Sequence, residues 1–227
     1  MSDLTNRVRI KTVARTLQQL NENVVFVGGA TVSLYVDEGS GEARPTDDVD
    51  VIVELANYGG YAELEHRLRS VGFVNDVSSG VICRYTIKGV IVDIMPTDPK
   101  VIGFSNTWYP EGYAKAIDYE IDDLTIKIFS LPYFIASKIE AFKGRGMKDY
   151  RFSSDFEDIV YVMGNCNDFF VYLQKSEKEV KKYLKKEYGD MLADADFEEG
   201  LAGHLDPHSV MDQLPRIKAL IKEFVSN

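Results

Sequence analysis

The chain has 227 residues, 45% of them hydrophobic and 27% charged, a composition that excludes disordered, collagen-like and low-complexity classes and suffices for a real core. Its 26 Lys and Arg against 36 Asp and Glu give a formal net charge of −10, the wrong sign for wrapping a long DNA duplex by phosphate neutralisation. The longest stretch without a charged side chain, residues 23–36, has 14 positions broken by two glycines, whereas a membrane helix needs about 20 apolar residues. No membrane partner is expected. The opening MSDLTNRVRIK lacks the apolar region and cleavage site of a signal peptide, so a cytoplasmic location is expected. Cys83 and Cys166 lie in apolar surroundings far apart in sequence and read as reduced core thiols.

Residues 4–20 place Leu4, Val8, Ile10, Val13, Leu17 and Leu20 near helical spacing. VVFV at 24–27 reads as a short buried strand that ends on Gly28-Gly29, after which ATVSLYV begins a helix; residues 37–46 are a loop by composition. VDVIVE at 49–54 is a strand, and residues 61–73 a helix with Leu64, Leu68 and Val71 inward. Strands at 81–87 and 90–95 flank Lys88-Gly89 as a hairpin, residues 96–110 form a loop, and LTIKIF at 124–129 is one more strand. From residue 131 the pattern is helical. The expectation is an α+β chain with an α/β-type mixed sheet: a catalytic domain over 1–130 and a helical domain over 131–227 that completes a nucleotide cleft.

Three carboxylates stand where carboxylates are costly. A strand alternates its faces, so in Thr46-Asp47-Asp48-Val49-Asp50-Val51-Ile52 the side chains of Asp48 and Asp50 share a face, and Asp47 points away. Asp93 is the lone charge in the apolar run Val90 to Met95. Neighbouring carboxylates repel, and desolvation makes that worse, unless a cation neutralises them. One reading is an exposed strand end, with Asp93 paired to Arg84 in the hairpin partner. The other gathers the three carboxylates on Mg²⁺, with Mn²⁺ as the substitute. Two ions about 3.5–4 Å apart would clamp the attacking and leaving oxygens of a phosphoryl displacement. Gly28-Gly29 leaves backbone N–H groups uncovered for a triphosphate, although paired glycines also end strands for structural reasons. Neither GxGxxG nor GxxxxGK[ST] occurs, which disfavours a Rossmann site and a P-loop.

FVGGATVSLYV, RPTDDVDVIVE and IVDIMP together resemble the nucleotidyltransferase signature, a hydrophobic residue and Gly-Gly followed by Asp-x-Asp and a later strand Asp. With GVICRYTIKGVIVDIMPTD, GFSNTWYPE and PYFIASKIEAFKGRGMKDYRFSSDFEDIV, residues 24–163 resemble the AbiEii/AbiGii-like toxin branch of that superfamily. The resemblance implies a small mixed sheet with flanking helices, transfer of an NMP from an NTP, and in some members a toxin or defence role that can include modification of tRNA. It assigns Asp48 and Asp50 to metal binding and Asp93 to the third carboxylate, as base or ligand at the acceptor. The 18 residues between Gly29 and Asp48 exceed the family's usual spacing, with 36–42 as the inserted part.

Thr46 is a candidate for hydrogen-bonding a phosphate or for capping a turn. Lys138 lies on the apolar stripe of Leu131, Phe134, Ile135 and Phe142, and snorkelling is the ordinary explanation for such a lysine; given the resemblance, it grips the NTP. Arg145 continues that face, and Asp155 and Asp158 share a face of the next helix, where they orient Lys138 or Arg145 or cap the helix. Arg84, Arg145 and Asp158 are secondary candidates, Arg84 together with residues 104–111 on the acceptor side. Trp108 and Tyr109 stack on a base or belong to the core. Lys178, Lys181, Lys182 and Lys185 make a basic helix face, ordinary solvated surface unless the acceptor is RNA. His204 and His208 have a zinc-like spacing broken by Pro207, with no cysteine near.

The expected function is therefore Mg²⁺-dependent nucleotidyl transfer from an NTP to tRNA or protein, with a cognate antitoxin as a further partner. The alternatives are a non-catalytic nucleotide-binding module and a nucleotidyltransferase acting on a small molecule such as an antibiotic.

Overall fold

The computed structural model describes residues 2–55 and 58–227, an α+β chain that divides into two compact units. Unit 1 holds residues 2–31 and 44–130, and unit 2 holds 32–43 and 131–227. Segment 32–43 thus groups with the helices that follow it nearly a hundred residues later.

In unit 1, α1 (Ser2–Leu17) is followed by β1 (Val24–Val27), β2 (Asp48–Val53), α2 (Tyr58–Ser70), β3 (Val74–Asn75), β4 (Arg84–Ile87), β5 (Val90–Pro96), the short helices α3 (Pro99–Ile102) and α4 (Tyr109–Ala114), β6 (Ile117–Ile121) and β7 (Leu124–Ile128). All seven strands form one mixed sheet, ordered β3-β4-β5-β2-β1-β7-β6. β2 runs parallel to β5 and antiparallel to β1, and β1 runs parallel to β7. The central strands are the apolar ones: every residue of β1 is buried, as are Val49, Val51, Ile52 and Val92. Helix α1 packs on β2 and β5 through its buried Ile10, Val13 and Leu17.

The hairpin between β4 and β5 turns at Lys88 (φ 49°) and Gly89 (φ 80°), two positive-φ positions that match the right-handed twist of the flanking strands. This turn pairs Ile87 with Val90 and carries Arg84 opposite Asp93. The helix expected after Gly28-Gly29 is a 3₁₀ helix, Gly29–Leu34. Residues 96–110, expected as loop throughout, contain α3, built on an Asp98 cap and Pro99. Strands β3 and β6 were not anticipated. β6 has the alternation Ile117-Asp118-Tyr119-Glu120-Ile121 of an edge strand, its charges turned outward.

Unit 2 is helical: α6 (Ser154–Asn165), α7 (Phe169–Lys175) and α8 (Lys178–Ala193) pack on α5 (Leu131–Lys143), and α9 (Phe197–His204) and α10 (Val210–Ser226) pack on α6 and α8. Ten residues of α5 are buried, far more than one stripe, because α6, α7 and α8 all contact it. The segment 32–43 is tied into this unit: the Tyr35 ring stacks on Phe134 at 4.4 Å, and the Asp37 N–H donates to the Asn165 carbonyl at 3.0 Å. Among the described residues no helix is long and apolar enough to cross a membrane.

Candidate active site

The parallel pairing of β2 with β5 sets Asp50 beside Asp93, and the antiparallel pairing of β5 with β4 sets Asp93 beside Arg84. On the other side Asp50 pairs with Val27, the last residue of β1. One row across the sheet therefore reads Arg84, Asp93, Asp50, Val27, and opposed residues present their side chains on the same face. Asp48, two residues before Asp50, joins them on that face. Asp48, Asp50 and Asp93 each offer a carboxylate oxygen, and these oxygens all lie within 4.8 Å of one another. Asp47 directly precedes β2 and is exposed.

Gly28 closes the row. Its φ is +72°, a conformation that L side chains rarely adopt, and a Cβ built there would stand 1.9 Å from Asp50 Oδ2. The residue has to be glycine because the Asp50 carboxylate lies against its Cα. At Gly29 a Cβ would meet Arg44 Nη2 at 2.9 Å and Thr46 Oγ1 at 3.3 Å. The Arg44 guanidinium thus lies beside the glycine pair, a positive group that sequence reasoning passed over although it directly precedes the Pro-Thr-Asp run. Thr46 is buried and its hydroxyl donates to Asp48 Oδ1 at 3.1 Å. That bond fixes the orientation of a carboxylate. The Thr46 carbonyl in turn accepts from Arg9 of α1, an anchor with no sequence signal.

Arg84 bridges two of the three acidic residues. Its Nε and Nη2 donate to Asp93 Oδ1 and Oδ2 at 2.8 and 2.7 Å, a two-pronged fork, and Nη2 also reaches Asp48 Oδ2 at 3.3 Å. Hydrogen bonding to Asp93 holds the guanidinium even more firmly protonated than usual. The Asp48 and Asp93 side chains keep 31% and 12% of their exposure, so solvent and ions reach them. Cys83, next to Arg84, is a buried thiol whose pKa rises to about 12, first through burial and then through Asp93. It is inert as a nucleophile. Arg84 also lines a cleft of 450 Å³ with Glu65, Arg69, Asn75, Asp76 and Ile82.

The donor set fits a hard divalent cation. It consists of three carboxylates and no thiol or imidazole, which suits Mg²⁺ or Mn²⁺ better than zinc. Two oxygens on one Mg²⁺ stand at most about 4.2 Å apart, and two bridged ions span more, so an acidic cluster of 4.8 Å needs little adjustment to hold a metal.

In unit 2, Lys138 is buried and its Nζ sits 3.0 Å from Asp155 Oδ1 and 2.6 Å from Asp158 Oδ2. Burial alone would lower the lysine pKa, but Asp158 and Asp155 together raise it, so the ammonium stays charged. Arg145 forks onto the same carboxylate, with Nε to Asp155 Oδ2 and Nη2 to Asp155 Oδ1 both at 2.7 Å. Against the effect of burial, Arg145 and then Lys138 bring the Asp155 pKa down to about 2. Asp155 and Asp158 therefore orient the two cations, while the α6 cap is supplied by Ser153, whose hydroxyl accepts from the Phe156 N–H at 3.4 Å.

Several remaining sequence candidates have ordinary places. Trp108 is buried in the core, and the half-buried Tyr109 beside it sets its ring against Phe129 at 6.0 Å. Lys181 donates to the Gln174 carbonyl and Lys185 lies over the Phe224 ring, while Lys178 and Lys182 are exposed. His204 Nε2 hydrogen-bonds the Tyr150 carbonyl at 2.8 Å, and His208 is exposed.

Comparison with known protein families gave no matching family model, and comparison with curated proteins gave no match.

Proposed function

We propose that this chain is a Mg²⁺-dependent nucleotidyltransferase that moves an NMP from an NTP to an acceptor. The observation that carries the reading is the convergence of Asp48, Asp50 and Asp93 from two parallel strands, with ligand oxygens within 4.8 Å. The supporting details are the glycine demanded at position 28 by Asp50 and the bond from Thr46 that steers Asp48. A nucleotidyltransferase-like fold for the sheet-bearing part of the chain belongs to the same proposal.

In this reading, Asp48, Asp50 and Asp93 hold the divalent cations. When bound, these neutralise the triphosphate and the charge developing on the attacking and leaving oxygens. The acceptor oxygen attacks the α-phosphorus; a new O–P bond forms as the bond to the β-phosphate oxygen breaks, and pyrophosphate leaves. Asp93 takes the proton from an acceptor hydroxyl. The turn at Gly28-Gly29 receives phosphate oxygens, with the Arg44 guanidinium alongside as the positive group that offsets the Asp50 carboxylate packed against Gly28. Arg84 and the cleft it lines form the acceptor side. The roles of Lys138 at the NTP and of Arg145 and Asp158 behind it rest on the resemblance; an ammonium has three donors, and two of those on Lys138 are engaged by carboxylates.

The acceptor we favour is tRNA or protein, in a toxin or defence setting with a cognate antitoxin. The test is incubation of each α-labelled NTP with total cell extract. Label should pass to one species with wild-type protein and Mg²⁺, and to none with Asp50→Asn or with EDTA. Equal labelling by wild type and Asp50→Asn would end the proposal. Induced expression should arrest growth, and Asp48→Ala should not.

A second reading, a nucleotide-binding module without transfer, is favoured by one observation: Arg84 already neutralises Asp93. It requires saturable NTP binding with no pyrophosphate released against any acceptor.

A further inference from the structure

Resting on the reading that the triad holds divalent cations, we propose that Arg84 is the resident counter-ion of that triad and sets how tightly it takes a metal. Three carboxylates whose oxygens lie within 4.8 Å would repel one another strongly without a positive group among them. β4 supplies such a group to Asp93 and Asp48, at the register position opposite Asp93. The guanidinium spans two of the three residues, forking onto both Asp93 oxygens and reaching Asp48 Oδ2. Because an arginine never deprotonates in water, this counter-charge is permanent.

Two consequences follow. The row of acidic side chains assembles with the fold and does not wait for metal to draw it together. A cation that arrives later meets a positive charge already bonded to the oxygens it needs, so its affinity is lower than three carboxylates alone would give. The fork uses one lone pair on each Asp93 oxygen and leaves the others open, so Arg84 weakens metal binding without forbidding it. The net formal charge of the four side chains is −2, the sum of three carboxylates and one guanidinium, which one divalent cation neutralises.

Mn²⁺ binding tests this directly, read by the electron paramagnetic resonance of the free ion and by titration calorimetry, with thermal unfolding measured with and without Mn²⁺. Arg84→Gln removes the charge; Arg84→Lys keeps it and loses the fork. Arg84→Gln should bind Mn²⁺ on the order of ten-fold more tightly than wild type. It should also unfold at lower temperature without metal and recover most of the loss when Mn²⁺ is added. Arg84→Lys should stay near wild-type affinity. Affinity unchanged or weakened in Arg84→Gln, or an equal shift in both variants, would overturn the proposal by making Arg84 an orienting or packing residue. Failure of Arg84→Gln to fold even in saturating Mn²⁺ would do the same. If wild type binds Mn²⁺ and only the variants disagree, the metal reading survives and the Arg84 proposal alone falls. If wild type and Arg84→Gln both fail to bind Mn²⁺, the metal reading itself falls and takes this one with it.

Discussion

The Cα of Gly28 lies so close to the Asp50 carboxylate that an added Cβ would stand 1.9 Å from Oδ2. Gly28→Ala therefore faces two penalties, a positive φ and a clash inside the acidic row. We expect it to destabilise the fold by about 1–3 kcal/mol and to turn Asp50 away from Asp93. Urea unfolding gives the first quantity. Mn²⁺ affinity gives the second, and should fall even where the variant is fully folded.

Asp50→Asn and Asp93→Asn should behave differently. Both remove a ligand, so both should lose transfer activity. Asp50→Asn also relieves like-charge repulsion and leaves the Arg84 fork on Asp93 intact. Asp93→Asn removes the charge and one of the two acceptor oxygens of the Arg84 fork and should cost about 1 kcal/mol, a modest figure because the pair is partly open to water. Equal melting temperatures for the two variants would contradict the fork.

Lys138 predicts a folding defect as well as a functional one. Replacing it with Met leaves Asp155 and Asp158 buried together without their shared cation, which should cost about 3–5 kcal/mol. Activity of Lys138→Met is meaningful only at temperatures where circular dichroism shows it folded.

The same cluster sets an acid limit. The Asp155 pKa is lowered from 3.8 to about 2, so its ionised form contributes stability that is complete above about pH 4 and is lost as pH falls toward 2. Lys138 acts at the other end: its raised pKa adds stability that is complete below 10.5 and is lost as pH climbs through the elevated value. Melting temperature measured from pH 2 to 5 should drop more steeply in wild type than in Asp155→Asn, which has no carboxyl to protonate there.

Much of the sheet was legible because its central strands are apolar and β-branched. The stretches 24–27, 49–54 and 90–95 all emerged within a residue of β1, β2 and β5. The acidic cluster was legible for a related reason: a carboxylate in such a strand contradicts its surroundings, and alternation says which ones share a face. What alternation does not say is register. Arg84 was a named partner for Asp93, yet its two-pronged hold and its reach to Asp48 depend on β4, β5 and β2 lying in one order. Gly28 illustrates the same limit. Its neighbour Asp50 is distant in sequence, so the reason for glycine looked like phosphate access when crowding by that carboxylate also demands it. The anchors Arg9 and Arg44 carry no pattern at all, since a single arginine on a helix or in a loop looks like solvated surface.

The grouping of 32–43 with the later helices has a consequence for how the protein can be divided. A fragment starting at Leu131 would strip Phe134 of the Tyr35 ring and Asn165 of its bond from Asp37. The helical half is thus not a self-contained cassette: splitting, fusing or swapping it means carrying along a dozen residues borrowed from far upstream, and a cut at the obvious seam should yield an aggregating piece.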